Sequence, residues 1–240
     1  MALSTAGVMD HLAAFGYGLA YDAVVRGFAP YEELLDEIAA RIARVVPPSG
    51  TPNRARILDV ACGTGTLARR LAREGYDVVG LDTVARLVEI ARQTGPPALE
   101  ERLTFRHLDI ARAPAPGGAC HDVLVSLHTL SWHPEPAHFL AGCRRALVPG
   151  GYALFLTYGR QPRVLRTLRD VAGQRGWSDG VRALRWLIPT AAFEALRRDR
   201  RRFLGAAEFH ALLAGAGFRV LDASETFLGQ ISLLAWTRVL

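Results

Sequence analysis

The chain has 240 residues, half of them hydrophobic, which suits one α/β domain with a sizeable core and excludes wholesale disorder. No apolar run reaches the roughly 18 residues of a membrane span, and the amino terminus, MALSTAGVMDHLAAFGYG, lacks the basic start of a secretory signal. The net charge of +6 is local: all 29 basic residues are Arg, and Arg160 to Arg202 hold 12 of them against four acids, so a nucleic-acid footprint across the domain is not expected.

In chain order, Leu34, Leu35, Ile38, Ile42 and Val45 stand at helical spacing, and PPSGTPN (47–53) ends that helix in a loop. Residues 1–53 are therefore expected to form a helical cap segment ahead of a main domain over 54–240. ARILDVACGTG begins as a short apolar run ahead of a glycine turn, the pattern of a buried strand. A helix through Leu67, Leu71 and Ala72 follows, then a strand over Tyr76 to Leu81, a helix through Leu87, Val88 and Ala91, and a third strand over Leu103 to Leu108. Asp122 to Leu127 is a fourth strand. A helix through Phe139, Leu140, Cys143 and Leu147 leads to a turn at Pro149-Gly150-Gly151 and a fifth strand, Tyr152 to Thr157. This alternation predicts right-handed βαβ units and a parallel sheet. After a helix containing Phe209, Leu212 and Leu213, two strand-like runs are joined only by Leu228 to Gln230, a link that permits only an antiparallel pair.

Open parallel sheets bind ligands beyond the carboxyl ends of their strands. The first exit reads Asp59-Val60-Ala61-Cys62-Gly63-Thr64-Gly65, with glycines that allow a sharp turn and close backbone approach. The second carries Asp82, suited either to the two hydroxyls of a ribose or to capping a helix. The third is Leu108-Asp109-Ile110, an acid beside an aliphatic residue that fits a purine face; the fourth is Ser126-Leu127-His128. Acidic or glycine-rich exits at three successive strands predict a nucleoside site. Three cysteines, Cys62, Cys120 and Cys143, lack CxxC spacing; they argue against a disulfide scaffold or a zinc site and fit a cytoplasmic location.

ILDVACGTGTLARRL, VVGLDTVARLVEIAR, LTFRHLDIAR and RRALVPGGYALFLTY together resemble the class I S-adenosylmethionine-dependent methyltransferases. The layout is similar to the ubiquinone/menaquinone type, although Leu127-His128-Thr129 stands where those quinone enzymes carry Asn-Val. The resemblance implies a Rossmann-like sheet of seven strands, mostly parallel with an antiparallel last strand, helices on both faces, and a helical lid insert. It implies S-adenosyl-L-methionine as cofactor and S-adenosyl-L-homocysteine as product. Asp59, Ala61, Cys62, Gly63 and Gly65 would then surround the methionine part, and Asp82, with Thr83 and Leu87 nearby, the ribose. Asp109 and Ile110 would hold the adenine, and Ser126 and Leu127 its amino group. Tyr17 and Tyr21 would close over the cofactor, or else pack in the core of a helix, since they stand four apart.

Methyl transfer to oxygen or carbon of a small, apolar metabolite is the expected reaction, with His128 or His133 as base and Trp132 as a pocket wall; no metal is expected. The alternative is a protein of this fold that binds the cofactor without methylating. Residues 159–205 exceed a simple crossover and are expected to cover the substrate. Their arginines suit an anionic substrate, an acidic carrier or lipid headgroups, and equally a solvated helix face.

Overall fold

The computed structural model describes residues 28–48, 54–161, 163–196 and 203–240. Its centre is a sheet in the order β3-β2-β1-β4-β5-β7-β6. The strands are β1 (Arg56–Val60), β2 (Asp77–Asp82), β3 (Leu103–His107), β4 (His121–Leu127), β5 (Leu147–Tyr158), β6 (Phe218–Thr226) and β7 (Ser232–Val239). Strands β1 to β5 pair in parallel, and β7 runs antiparallel between β5 and β6. The expected seven-stranded fold with one reversed strand is thus present.

Side-chain alternation divides the core in two. Ile57, Val123, Val125, Leu154 and Leu156 face one side, and Leu58, Leu124, Ala153 and Phe155 the other. The first face receives α1 (Ala29–Val45), α2 (Thr66–Arg73) and α3 (Ala85–Gln93). On α1 the buried residues Tyr31, Leu34, Leu35, Ile38 and Ile42 recur every three or four positions, so one stripe meets the sheet. The second face receives α4 (Pro136–Ala146) and α7 (Ala206–Gly215). Between β5 and α7 the insert folds as α5 (Val164–Arg175) and α6 (Trp177–Leu196), joined at Gly176 with φ of +93°. Gly180 lets these helices touch: a Cβ there would lie 2.9 Å from Ala172 Cβ and 3.2 Å from the Leu168 carbonyl.

One expectation needs correction. The Pro149-Gly150-Gly151 turn is an irregularity inside β5: the partner of His121 is Leu147, and that of Val123 is already Tyr152. Within the insert, Trp186 and Leu187 are 1% exposed and belong to the main core, whereas Trp177 and Ile188 lie in solvent. The β6–β7 turn also departs from simple geometry: Phe227, Leu228, Gly229 and Gln230 all have positive φ, and the Ile231 amide closes the turn on the Phe227 carbonyl at 3.0 Å.

At Gly142 of α4 a Cβ would fall 2.1 Å from the Ile110 carbonyl oxygen, so only glycine lets this helix seat over the third exit. Gly142→Ala is expected to cost about 2 kcal/mol through overpacking and to lower Tm by roughly 4–8 °C. A thermal melt unchanged from wild type would contradict this packing.

Candidate functional site

Register brings the four exits to one rim. Asp59 pairs with Gly80 and Val125, so Asp82 and Leu127 stand level with Ala61, and Asp82 pairs with His107 at the end of β3. Beyond β1 the chain turns through Ala61 (φ +60°), Gly63 (φ +55°) and Gly65 (φ +82°). Two observations separate the roles of the glycines. A Cβ on Gly65 would strike the Phe105 ring at 2.5 Å, as would one on Gly80, so Phe105 is the wedge that fixes the loop from behind. A Cβ on Gly63 would meet nothing within 4 Å, leaving open space beside bare backbone. Arg69 of α2 secures the loop, its guanidinium donating to the Thr64 carbonyl at 2.5 Å and to Thr94 Oγ1 at 2.9 Å.

Asp82 ties the first exit to the second. Its Oδ2 accepts the Gly63 amide at 2.8 Å and its Oδ1 the Val84 amide at 2.9 Å. Val84, not Asp82, is the N-cap of α3, so the carboxylate bridges two loops and keeps unused lone pairs on both oxygens. Burial raises its pKa, partly offset by those amides. Asp59 is more constrained still, at 3% exposure. It accepts the Ala68 amide in the first turn of α2, whose N-cap Gly65 has no side chain to do so. Its Oδ2 has no hydrogen-bond partner. Burial first, and the Asp82 charge second, push the Asp59 pKa up to about 7. A cation with N–H donors is the ligand that would satisfy Oδ2 and relieve this pair.

The remaining residues fall into two groups. Asp109 is held by the Ala111 amide at 2.9 Å and faces Arg112 at 3.4 Å, with its carboxylate partly open. Thr83 is exposed, its carbonyl bonded to His107 Nε2 at 3.0 Å, and Leu127 is half-buried. Ile110, Leu87 and Ser126 are buried, Ile110 and Leu87 within the packing and Ser126 with an unpartnered Oγ. The half-buried Cys62 points its Sγ at the Gly63 carbonyl, 3.7 Å away, and burial drives its thiol pKa well up, so it stays protonated. Tyr17 and Tyr21 lie outside the described residues.

The two histidines differ. His133 Nδ1 accepts the Glu135 amide at 3.1 Å, which leaves Nε2 as its protonated nitrogen and commits the ring to its own loop. His128 leaves β4 with φ of +56° while its amide still donates to the Leu156 carbonyl at 2.7 Å. Its ring stacks on Tyr158 at 4.0 Å and its Nε2 lies 2.9 Å from Ser232 Oγ. Phe227 stands 5.5 Å from His128 and edge-on to Trp186 of α6, and Trp186 in turn lies 6.1 Å from Tyr158. Four rings from β4, β5, α6 and the β6–β7 turn thus close on one another beside the fourth exit. Phe227 also lines a cavity of about 250 Å³ between α1, α5 and this turn. Sequence reasoning missed Ser232, Tyr158 and Phe227, because nothing local links residues 30 to 104 positions apart to His128.

Among the described residues no His/Cys/Asp/Glu group is arranged to hold a metal, and no helix is long and apolar enough to cross a membrane. Residues 58–155 match a family described as Methyltransferase domain. A ubiquinone biosynthesis O-methyltransferase from Acinetobacter baylyi is 28% identical over 108 residues, a match covering 45% of this chain and 45% of the relative. In fold, the chain is similar to a magnesium protoporphyrin IX methyltransferase from Synechocystis with bound SAH (TM-score 0.66, 17% identity, 97% of this chain and 98% of the other). It is also similar to the cyclase SpnF (TM-score 0.57, 19% identity, 85% and 81%).

The buried acid gives a pH signature. An unfolded Asp releases its proton near pH 3.9, whereas folded Asp59 holds it to about 7. The folded state therefore binds the extra proton between these values, and stability falls as pH rises through them, by at most about 1.4 kcal/mol per pH unit. Compared with Asp59→Asn in urea melts at pH 5 and pH 7.5, wild type should lose about 1 kcal/mol or more over the interval. Parallel pH profiles would show that Asp59 titrates normally.

Proposed function

We propose that this chain, a class I S-adenosylmethionine-dependent methyltransferase by its family match over residues 58–155, transfers a methyl group to oxygen or carbon of a small, apolar metabolite. The observation that carries the reading is the buried Asp59–Asp82 pair set beside the open backbone at Gly63, with Asp59 Oδ2 unpartnered. These residues fit the cofactor: Asp59 would take its ammonium group, Gly63 its close approach, and Asp82 its ribose hydroxyls through lone pairs the backbone leaves unused. Asp109 and Leu127 would flank the adenine, with Ile110 as support from below. The cofactor supplies an already activated methyl group on a sulfonium.

What the protein must add is alignment and exclusion of water, which can supply several kcal/mol through positioning. His128 is the better placed base, since it stands at the exit of the strand next to β1, and His133 Nδ1 is spent on Glu135. Ser232 Oγ would orient the ring of His128, and Tyr158, Phe227 and Trp186 would keep its surroundings apolar. Arg160 and Arg175 are already engaged within the protein: Arg160 pairs with Asp170 at 3.7 Å, and both guanidinium NH groups of Arg175 donate to Glu33. Residues 159–205 act as a cover whose inner face is Trp186 and Leu187, in a protein expected in the cytoplasm.

Calorimetry with S-adenosylmethionine and S-adenosylhomocysteine tests the cofactor reading. Wild type should bind both, and Asp82→Ala should weaken each by about 10- to 100-fold, the loss of one or two charge-assisted hydrogen bonds. Absence of binding by folded wild type would overturn the proposal. His128→Gln should keep cofactor affinity and lower turnover of an enolisable or phenolic acceptor by about 100-fold. Binding without S-adenosylhomocysteine accumulation across such acceptors would point to the non-methylating alternative.

A further inference from the structure

The described residues expose six large hydrophobic side chains, and four of them sit on the α5–α6 hairpin: Leu165 (71%), Trp177 (70%), Val181 (60%) and Ile188 (57%). At 100° per residue, Trp177, Val181 and Ile188 fall within about 40° of one another and form a line about 17 Å long on α6. Half-buried Leu184 lies on the same line. The opposite side of the helix carries Ala183, Trp186 and Leu187, all within 1% of full burial. So α6 is apolar on two faces, and the core uses only one.

The same hairpin is rich in exposed cations. Arg163, Arg166, Arg169, Arg182 and Arg185 are all exposed on the two helices. Arg166 and Arg182 have weak carboxylate neighbours, Asp170 at 4.0 Å and Asp179 at 3.5 Å. Arg163 and Arg169 have none among the described residues. Gly180 packs against Leu168 and Ala172, which holds the two helices together and leaves Leu165 exposed on α5.

We propose that the α5–α6 hairpin docks the protein on an anionic lipid surface, with Trp177, Val181 and Ile188 entering the interface and Arg163 and Arg169 meeting the headgroups. An apolar line with an indole at one end, on a hairpin that carries exposed guanidinium groups, matches a helix lying in the plane of a membrane. The cations select anionic over neutral lipid. This docking does not depend on the methyl-donor reading. It places the lipid on one face of α6 and the ring cluster around His128 on the other.

Flotation of the full chain with phosphatidylcholine vesicles, with and without phosphatidylglycerol, tests it. Bound protein should rise about tenfold with the anionic lipid and fall as salt screens the headgroups. The triple variant Trp177→Ser, Val181→Ser, Ile188→Ser should lose binding, and Arg163→Gln with Arg169→Gln should lose the preference for anionic lipid. All these side chains are exposed, so melting temperature and S-adenosylhomocysteine affinity should match wild type and report on folding independently. Failure of wild type to float with anionic vesicles would overturn the proposal, as would flotation that survives the triple substitution. Concentration-dependent self-association abolished by that substitution, without lipid binding, would assign the face to a second copy instead.

Discussion

Burying Asp59 beside Asp82 places two like charges in low-dielectric surroundings, an arrangement that persists only because backbone amides are aimed at them. The Gly63, Val84 and Ala68 N–H groups all serve these two carboxylates. That requirement dictates the local structure: a loop folded back far enough for Gly63 to reach Asp82, a helix starting where Ala68 can reach Asp59, and Phe105 wedged beneath. The amides meet only part of the demand. At Asp59 Oδ2 the demand stays unmet, and a donor carrying positive charge would meet it.

The same loops show why a fold of this kind hosts more than one activity. The rim that would hold an adenosyl group is built from β1 to β3 with Leu127 of β4, and the ring cluster that would meet the acceptor side from β4, β5, α6 and the β6–β7 turn. They meet at the end of β4, so residues on either side of it can change with little effect on the other.

Much of this was legible from the residues alone. Strand and helix order, the reversed last strand and the acidic exits follow from apolar spacing, from a short final link and from glycine or aspartate at the ends of the first three strands. Local pattern stops where long-range packing decides. Pro149 to Gly151 read as a turn because nothing in the triplet reports that Leu147 is already paired with His121. The insert's apolar residues look alike in sequence, and only helix phase sends Trp186 inward and Ile188 outward. His128 looks like any loop histidine until β7 places Ser232 against it.

The position of β7 also bears on synthesis. Because β7 lies between β5 and β6 instead of at an edge, those two cannot be bridged until Ser232–Val239 has been made. Strands β1 to β5 and their helices precede it in the chain, so β5 keeps an open edge while they assemble. The ring cluster, which needs the β6–β7 turn and Ser232, closes only when β7 pairs, and until then the exposed flank of β5 is where a holding chaperone has something to bind.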